Sequence, residues 1–294
     1  MTPGGGNRRP NVVGIMVTYN GEEFIPAQVT SILRQSRELD AIIVVDDHST
    51  DGSREMVGDL MAGFSGQVEC LLSSQPRSMA VRNRIAANFV QAVEAANALD
   101  ADIAILADQD DEWLTERVEE QVAYLLDHEE IDYVANDGNL IDEHGELLQG
   151  SIRTHFPMAE SDGDSIRTLR RVLAAPAATG AASAIRLTGS GQWSVPQGWL
   201  HDRWWSLACA ARGALHVSDR RVINYRIHSG QDTGLSGANN SEAFHQTVLR
   251  RSRHLLDSSG RLRSLRRLRR EAAPGLDREF GYINLAKALL TRPS

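Results

Sequence analysis

In the first third of the chain, four short apolar runs alternate with segments of helical period, and three of the four stop abruptly at an active-looking polar end. Val12 to Thr18 leads into Tyr19-Asn20-Gly21, Ala41 to Val45 stops at Asp46-Asp47, and Ile103 to Ala107 runs into Asp108-Gln109-Asp110-Asp111; Val68 to Ser73 is the remaining run. Between them, Glu22 to Gln35 places Phe24, Ile25, Val29, Ile32 and Leu33 at helical spacing. Ser49 to Ser53 reads as a loop into a helix over Arg54 to Met61, and Asn83 to Leu99 reads as a longer helix. Runs this short and this continuously apolar suit strands buried on both faces. Strands alternating with helices predict an α/β fold with a mainly parallel sheet covered by helices. Ligands of such sheets gather at the carboxyl ends of the strands, which is where these polar sequences would lie.

The 294 residues are enough for one large α/β domain, or one with a small appendage. Residues 11–235 are expected to form the main domain, preceded by a disordered Gly-rich basic tail over 1–10 and followed by a helical extension over 236–294. The tail has no apolar stretch of the secretory kind, and no run is long enough to cross a bilayer. Two cysteines, Cys70 and Cys209, suggest buried thiols rather than a disulfide framework, so a cytoplasmic setting is expected. The second half is less regular. Tyr133 to Ile141, the turn Glu143 to Glu146 and Leu147-Leu148 suggest a hairpin. Ser165 to Leu173 reads as a helix, Gly180 to Leu187 as a strand, His201 to Arg212 as a helix, and Ala214 to Val217 and Val222 to Ile227 as two strands.

Charge is divided along the chain. Asn240 to Ser294 carries 12 basic and 5 acidic residues, whereas the rest is left with a net charge of −15. An acidic body argues against nucleic-acid binding. If it binds an anionic ligand, a divalent cation is expected beside the carboxylates, which would otherwise repel phosphate.

Four constellations carry chemistry, each with a plainer alternative. Asp108-Gln109-Asp110-Asp111 places carboxylates two apart at a strand end, a spacing that lets both reach one Mg²⁺ or Mn²⁺ ion; the alternative is a solvated loop capping the helix after Trp113. Asp46-Asp47 offers acceptors to a base imide or to ribose hydroxyls, or else a capping turn with Ser49, Thr50 and Asp51. A phosphatase loop fails there, because His48 and Thr50 are out of register with the required acid and threonine. His201-Asp202 opens a Trp-rich helix, where Asp202 is either a cap or a general base. Trp199 and Trp204 either stack on a sugar or belong to the core. In Tyr225-Arg226-Ile227-His228, a period of two puts Arg226 and His228 on one strand face, suited to a diphosphate and its metal.

Together these segments, in this order, resemble glycosyltransferase family 2 with its GT-A fold. The resemblance rests on Val13 to Gly21, Ile42 to Ser53, Asp108 to Trp113, Asp137 to Leu147, Thr179-Gly180, His201 to Trp205 and Tyr225 to Gly230, and runs from about Val12 to Gly234. The D-Q-D-D-x-W, H-D-x-W-W and Y-R-x-H forms look most like the bacterial rhamnosyltransferase branch. The resemblance implies an inverting, metal-dependent hexosyltransferase of polysaccharide or glycoconjugate synthesis. Its donor would be dTDP-rhamnose or a UDP-sugar, and its acceptor a glycan, a lipid-linked molecule or a small molecule. It also implies that Thr18, Tyr19 and Asp47 hold the nucleoside with Glu22 nearby, and that Asn20 and Gln109 join the donor contacts. Asp108 and Asp110 would be the metal pair, with Asp110 the direct ligand. Arg226 and His228 would meet the diphosphate, His228 closing the metal shell. Asp202 would be the base, and Thr179-Gly180 would border the acceptor.

The chain departs from the family in two places. Where members often carry Gly-rich sequence it has Ser78-Met79-Ala80-Val81-Arg82-Asn83-Arg84, and His201 stands where an acid often precedes the base. No transmembrane module follows, which sets it apart from a processive synthase. Two other functions fit parts of the pattern. A sugar nucleotidylyltransferase would need a basic phosphate loop after the first strand, where Glu22-Glu23 is acidic. A non-catalytic module binding nucleotide sugar or glycan would have no need of both the D-x-D acids and Asp202. The Arg-rich C-terminal segment has three readings: packing on the acidic body, peripheral contact with anionic lipid, or a homodimer contact.

Overall fold

A computed structural model describes residues 8–156, 158–160, 163–177, 179–189, 193–229 and 260–281. The four apolar runs become strands β1 (Val12–Thr18), β2 (Ala41–Asp46), β3 (Gln67–Leu72) and β4 (Ile103–Asp108). They pair in parallel in the order β3-β2-β1-β4. Helices α1 (Ile25–Leu33), α2 (Ser53–Met61) and α3 (Val81–Ala98) make the crossovers. β1, β2 and β4 are buried almost throughout, so successive side chains feed two cores, one on each face of the sheet. Val13, Ile15, Ile43 and Leu106 face the core shared with α3, whereas Val12, Met16, Ile42 and Ile105 face the core shared with α1.

The sheet then changes direction. After β5 (Glu112–Trp113) and α4 (Arg117–Asp127) come β6 (Tyr133–Ile141), β7 (Leu147–Leu148), α5 (Ile152–His155) and α6 (Ser165–Ala174). A short 3₁₀ turn at Gly180–Ala182 leads into β8 (Ser183–Arg186), followed by α7 (His201–Arg212) and β9 (Leu215–Arg226). Among the described residues these complete one nine-stranded sheet ordered β3-β2-β1-β4-β8-β6-β9-β5, with β7 paired to β6. β8 is antiparallel to both β4 and β6, β9 runs parallel to β6, and β5 is antiparallel to β9. This brings β5, directly after the Asp108 loop, against the end of β9.

The two strands expected over Ala214–Val217 and Val222–Ile227 are one, β9, which follows β6 through register shifts near Asp137. α7 keeps its expected span and ends at Gly213, which takes the left-handed conformation (φ 75°) that closes a helix. Residues 260–271 form a further helix, α8, whose Leu265 and Leu268 join the α3–α7 core. The expected boundary at 235/236 lies outside the described residues. At the other end, Arg8 and Arg9, read from sequence as tail, are tied down: Arg8 pairs with Asp102 at 2.8 Å and Arg9 with Asp40 at 3.7 Å. Cys70 is exposed and Cys209 buried, both as free thiols. Among the described residues no helix is long and apolar enough to cross a membrane.

Candidate active site

A cleft of about 440 Å³ opens at the carboxyl ends of β1, β2 and β4. Its lining includes Thr18, Tyr19, Asn20, Asp47, Asp108, Gln109, Asp110 and His228, so eight of the residues singled out from sequence meet in one place. Asp202 is not in the lining, but its charge reaches it and helps to raise the pKa of both Asp108 and Tyr133, although burial is the larger cause for each.

The β2 end forms one part of the cleft. Asp47 is buried, and its Oδ2 accepts from Arg84 Nε at 2.8 Å and Arg77 Nη1 at 3.2 Å. Its other oxygen, Oδ1, is buried with no hydrogen-bond partner among the described residues. A buried carboxylate oxygen without a donor is costly, so this position is chemically ready for an N–H or O–H from a ligand. Arg77 also lies over the Tyr19 ring, 4.0 Å from its centroid. Arg84 ends the segment that departs from the Gly-rich family sequence and Arg77 directly precedes it, a contribution the motif reading missed. Their signal was a cluster of three arginines, Arg77, Arg82 and Arg84, with no acid between Glu69 and Glu94.

The β4 end forms the other part. Gln109 turns back onto the end of β1: its Oε1 accepts from Thr18 Oγ1 and Tyr19 N, both at 2.7 Å, and its Nε2 donates to Tyr19 O at 3.0 Å. Asp111 Oδ1 accepts from Arg226 N at 2.9 Å, while its Oδ2 is buried without a partner. Burial, then the neighbouring carboxylates, pushes the pKa of Asp108 and of Asp111 upward. His228 Nε2 lies 2.9 Å from Asp110 Oδ2. Beneath them Arg117, fully buried, donates to Leu106 O at 2.8 Å, Ser183 O at 3.2 Å and Gln121 Oε1 at 3.1 Å. Burial lowers its pKa to about 9 against the opposing pull of Asp111 and Asp108, so it remains the cation under the acidic loop at neutral pH.

These contacts correct several expectations. The acidic loop does not cap α4, whose N-cap is Glu116 with no side-chain hydrogen bond. Arg226 is not in the cleft lining. Its Nε donates to Asp110 O at 2.8 Å, Nη1 to Asp142 O at 3.1 Å, and Nη2 to Glu112 Oε1 at 2.7 Å. The strand ends at Arg226, so the alternation that put Arg226 and His228 on one face stops there; the arginine braces the acidic loop rather than facing a diphosphate. Glu22 is also outside the lining, accepting from Gly52 N at 3.0 Å. Asn20 lines the cleft, but its Oδ1 accepts from Thr50 N at 2.8 Å, tying the β1 loop to the β2 loop. Trp199 and Trp204 are buried core residues, packed together at 5.4 Å, and neither lines the cleft.

Asp202 sits in the first turn of α7, one residue after His201 and two after the N-cap Leu200. Its Oδ2 accepts from Gly180 N at 3.2 Å and its Oδ1 from Arg203 N at 2.6 Å, which fixes the carboxylate's direction. His201 stacks on Phe89, a cleft-lining residue, with ring centroids 3.7 Å apart. Burial lowers its pKa to about 4, so this ring is neutral at neutral pH. A Cβ on Gly180 would run into His201 Nε2, which explains glycine at the position that holds Asp202.

Comparison with known proteins gives a consistent result. Residues 15–165, just over half of the chain, match the family model for glycosyl transferase family 2. EpsE of Bacillus subtilis (strain 168) is 30% identical over 139 residues, covering 47% of this chain and 47% of its own. The chain thus spans about half the length of this curated relative. Among solved structures, S. aureus TarS 1-349 aligns over 95% of this chain and 70% of its own, with a TM-score of 0.56 at 13% identity. The mannosyltransferase PcManGT from Pyrobaculum calidifontis, in complex with GDP-Man and Mn²⁺, aligns over 96% of this chain and 74% of its own, with a TM-score of 0.52 at 17% identity. At these identities the structural likeness speaks for the fold, which is that of the GT-A enzymes.

Proposed function

Since this chain belongs to glycosyltransferase family 2, we propose that it transfers a sugar from a nucleoside diphosphate donor to an acceptor hydroxyl, inverting the anomeric centre. The observation that carries this reading is the shared cleft. Its lining includes Asp47, whose buried Oδ1 has no partner among the described residues, and the Asp110–His228 pair, and the charge of Asp202 reaches Asp108. Solved neighbours hold UDP-GlcNAc or GDP-Man, which supports a nucleotide sugar as the donor class. The motif forms H-D-x-W-W and Y-R-x-H favour a deoxyhexose such as rhamnose carried on dTDP, ahead of a UDP-sugar.

In this reading Asp47 Oδ1 accepts the imide N–H of a pyrimidine base, while Arg84 and Arg77 hold the carboxylate in place. Asp202 takes the proton of the acceptor hydroxyl as that oxygen attacks the anomeric carbon. The bond from that carbon to the diphosphate oxygen breaks on the opposite face, and the nucleoside diphosphate leaves with the electron pair. Gly180 and the Arg203 amide hold the base still during the step.

The donor set at the acidic loop fits a hard divalent cation: clustered carboxylates whose mutual repulsion a cation would relieve, one orphaned buried oxygen on Asp111, and an imidazole against Asp110. Among the described residues no three such side chains stand together as a metal site, so a bound cation would take further oxygen ligands from the donor or from water. Asp110 and His228, backed by Asp108, would hold Mg²⁺ or Mn²⁺, which when bound neutralises charge on the donor diphosphate.

The direct experiment is nucleotide release from dTDP-rhamnose, UDP-glucose, UDP-galactose and GDP-mannose, with Mn²⁺ and with chelator, in the presence of cell-derived acceptor. Release from one donor that chelator abolishes is the expected result. Donor binding without release under every condition would instead indicate a binding module. A second expectation concerns Asp47→Ala: affinity for the matching nucleoside diphosphate falls by at least about tenfold, the scale of a lost hydrogen bond to a charged group. Titration calorimetry checks it, and unchanged affinity would remove Asp47 from the base site.

A further inference from the structure

The densest run of positive charge among the described residues lies away from the cleft, on α8, which carries six arginines. Leu265 and Leu268 bury one side of this helix, and Arg261 packs over Trp199 at 4.3 Å. At about 100° per residue, the opposite side presents Arg263, Arg266 and Arg270, flanked by Arg267 and Arg269, all exposed. Glu271 pairs with Arg267 at 2.9 Å; Arg263, Arg266, Arg269 and Arg270 have no ion-pair partner among the described residues. Their spacing sets like charges three and four residues apart, an arrangement that weakens a helix in water. An ordinary solvated face relieves such repulsion by interspersing acids. Within α8 the one acid is Glu271.

Beside this face, between α7 and α8, lies a recess of about 350 Å³. It is lined in part by Gln197, Trp204, Arg212, Arg263, Ser264 and Arg267, and it is separate from the donor cleft. Glu271 lines it too, on Arg267, and Arg212 lies 3.7 Å from Asp132, so Arg263 is the guanidinium that this recess leaves to the outside.

We propose that α8 docks this protein on an anionic lipid surface, its arginine face against the headgroup plane. Charge complementarity selects this partner. A plane of anions needs one basic face, which α8 supplies, whereas a nucleic acid would also meet the acidic body, whose net charge up to Asn239 is −15. Leu265 and Leu268 are committed to the core and Leu262 is half-buried, so the exposed face is arginine rather than apolar. Attachment is electrostatic and yields to salt. The inference is independent of which sugar the cleft takes.

The test is co-sedimentation of the full chain, at low salt, with vesicles of phosphatidylcholine alone or mixed with phosphatidylglycerol. Pelleting with the mixed vesicles only, reversed by salt, is expected. Arg263→Gln/Arg266→Gln/Arg270→Gln should weaken that binding by on the order of a hundredfold, with melting temperature and nucleotide release unchanged. The corresponding triple Arg→Lys variant should retain it, because a plane of charge reads sign rather than guanidinium shape. Equal pelleting with both vesicle types, or binding untouched by the Gln substitutions, overturns the proposal. So does a dimer in light scattering that those substitutions dissolve, which would assign the face to a second copy. Tighter binding to duplex DNA than to the mixed vesicles would assign it to nucleic acid.

Discussion

Asp202→Asn is expected to slow sugar transfer by about 10²–10⁴-fold, the usual contribution of a positioned general base, while leaving nucleotide affinity unchanged. Asparagine keeps the size of the side chain, and its remaining carbonyl oxygen can still accept from Gly180 N or Arg203 N. What it loses is the ability to take a proton from the acceptor. The loss should therefore fall on kcat and on kcat/KM alike, with donor KM little altered. Steady-state kinetics with the matching donor, together with calorimetry of the nucleoside diphosphate, separates the two effects. Retained activity would remove Asp202 from the chemistry. A matched fall in nucleotide binding would make it a binding residue.

The largest expected effect on stability is at Arg117. Its guanidinium is fully buried, donates to two backbone carbonyls and Gln121, and lies over the Trp113 ring at 4.2 Å. It is also the buried cation that opposes the upward push on Asp108 and Asp111. Arg117→Met keeps most of the volume but strands two carbonyls and leaves the acidic loop uncompensated. Removing one partner from a buried charged arrangement costs about 3–5 kcal/mol, and this substitution should fall in that range by urea denaturation. A divalent cation should recover part of the loss if the loop holds one, because it supplies positive charge to the same carboxylates. A variant as stable as the parent would mean that the neighbouring carboxylates take up protons at little cost.

Much of the frame was legible beforehand. β1, β2 and β4 announce themselves because strands buried on both faces need unbroken apolar runs, and those runs end where water and ligand begin. α7 was readable end to end because Gly213 closes it in a conformation other residues avoid. β9 was not readable as one strand. Asp219, Arg220 and Arg221 are exposed, so the middle of the strand has the composition of a loop, and only pairing with β6 keeps it extended.

The site divides in the same way. Asp47, Asp108, Asp110 and His228 could be singled out beforehand and line one cleft, because strand ends are local features that carry their polar residues with them. What each polar atom does was decided by partners distant in sequence. Asp47 keeps one oxygen free because Arg84, 37 residues away, takes the other. Arg226 braces the acidic loop because β5 pairs with β9, which brings Glu112 and the Asp110 carbonyl to its guanidinium across more than a hundred residues. Periodicity and propensity act over a few residues, so the sequence by itself determined the strands, the helices and which side chains gather at the sheet's carboxyl edge. Hydrogen bonds are satisfied only once the chain is folded, so the tertiary structure alone decided which of those side chains are consumed in holding the site together and which remain to meet a ligand.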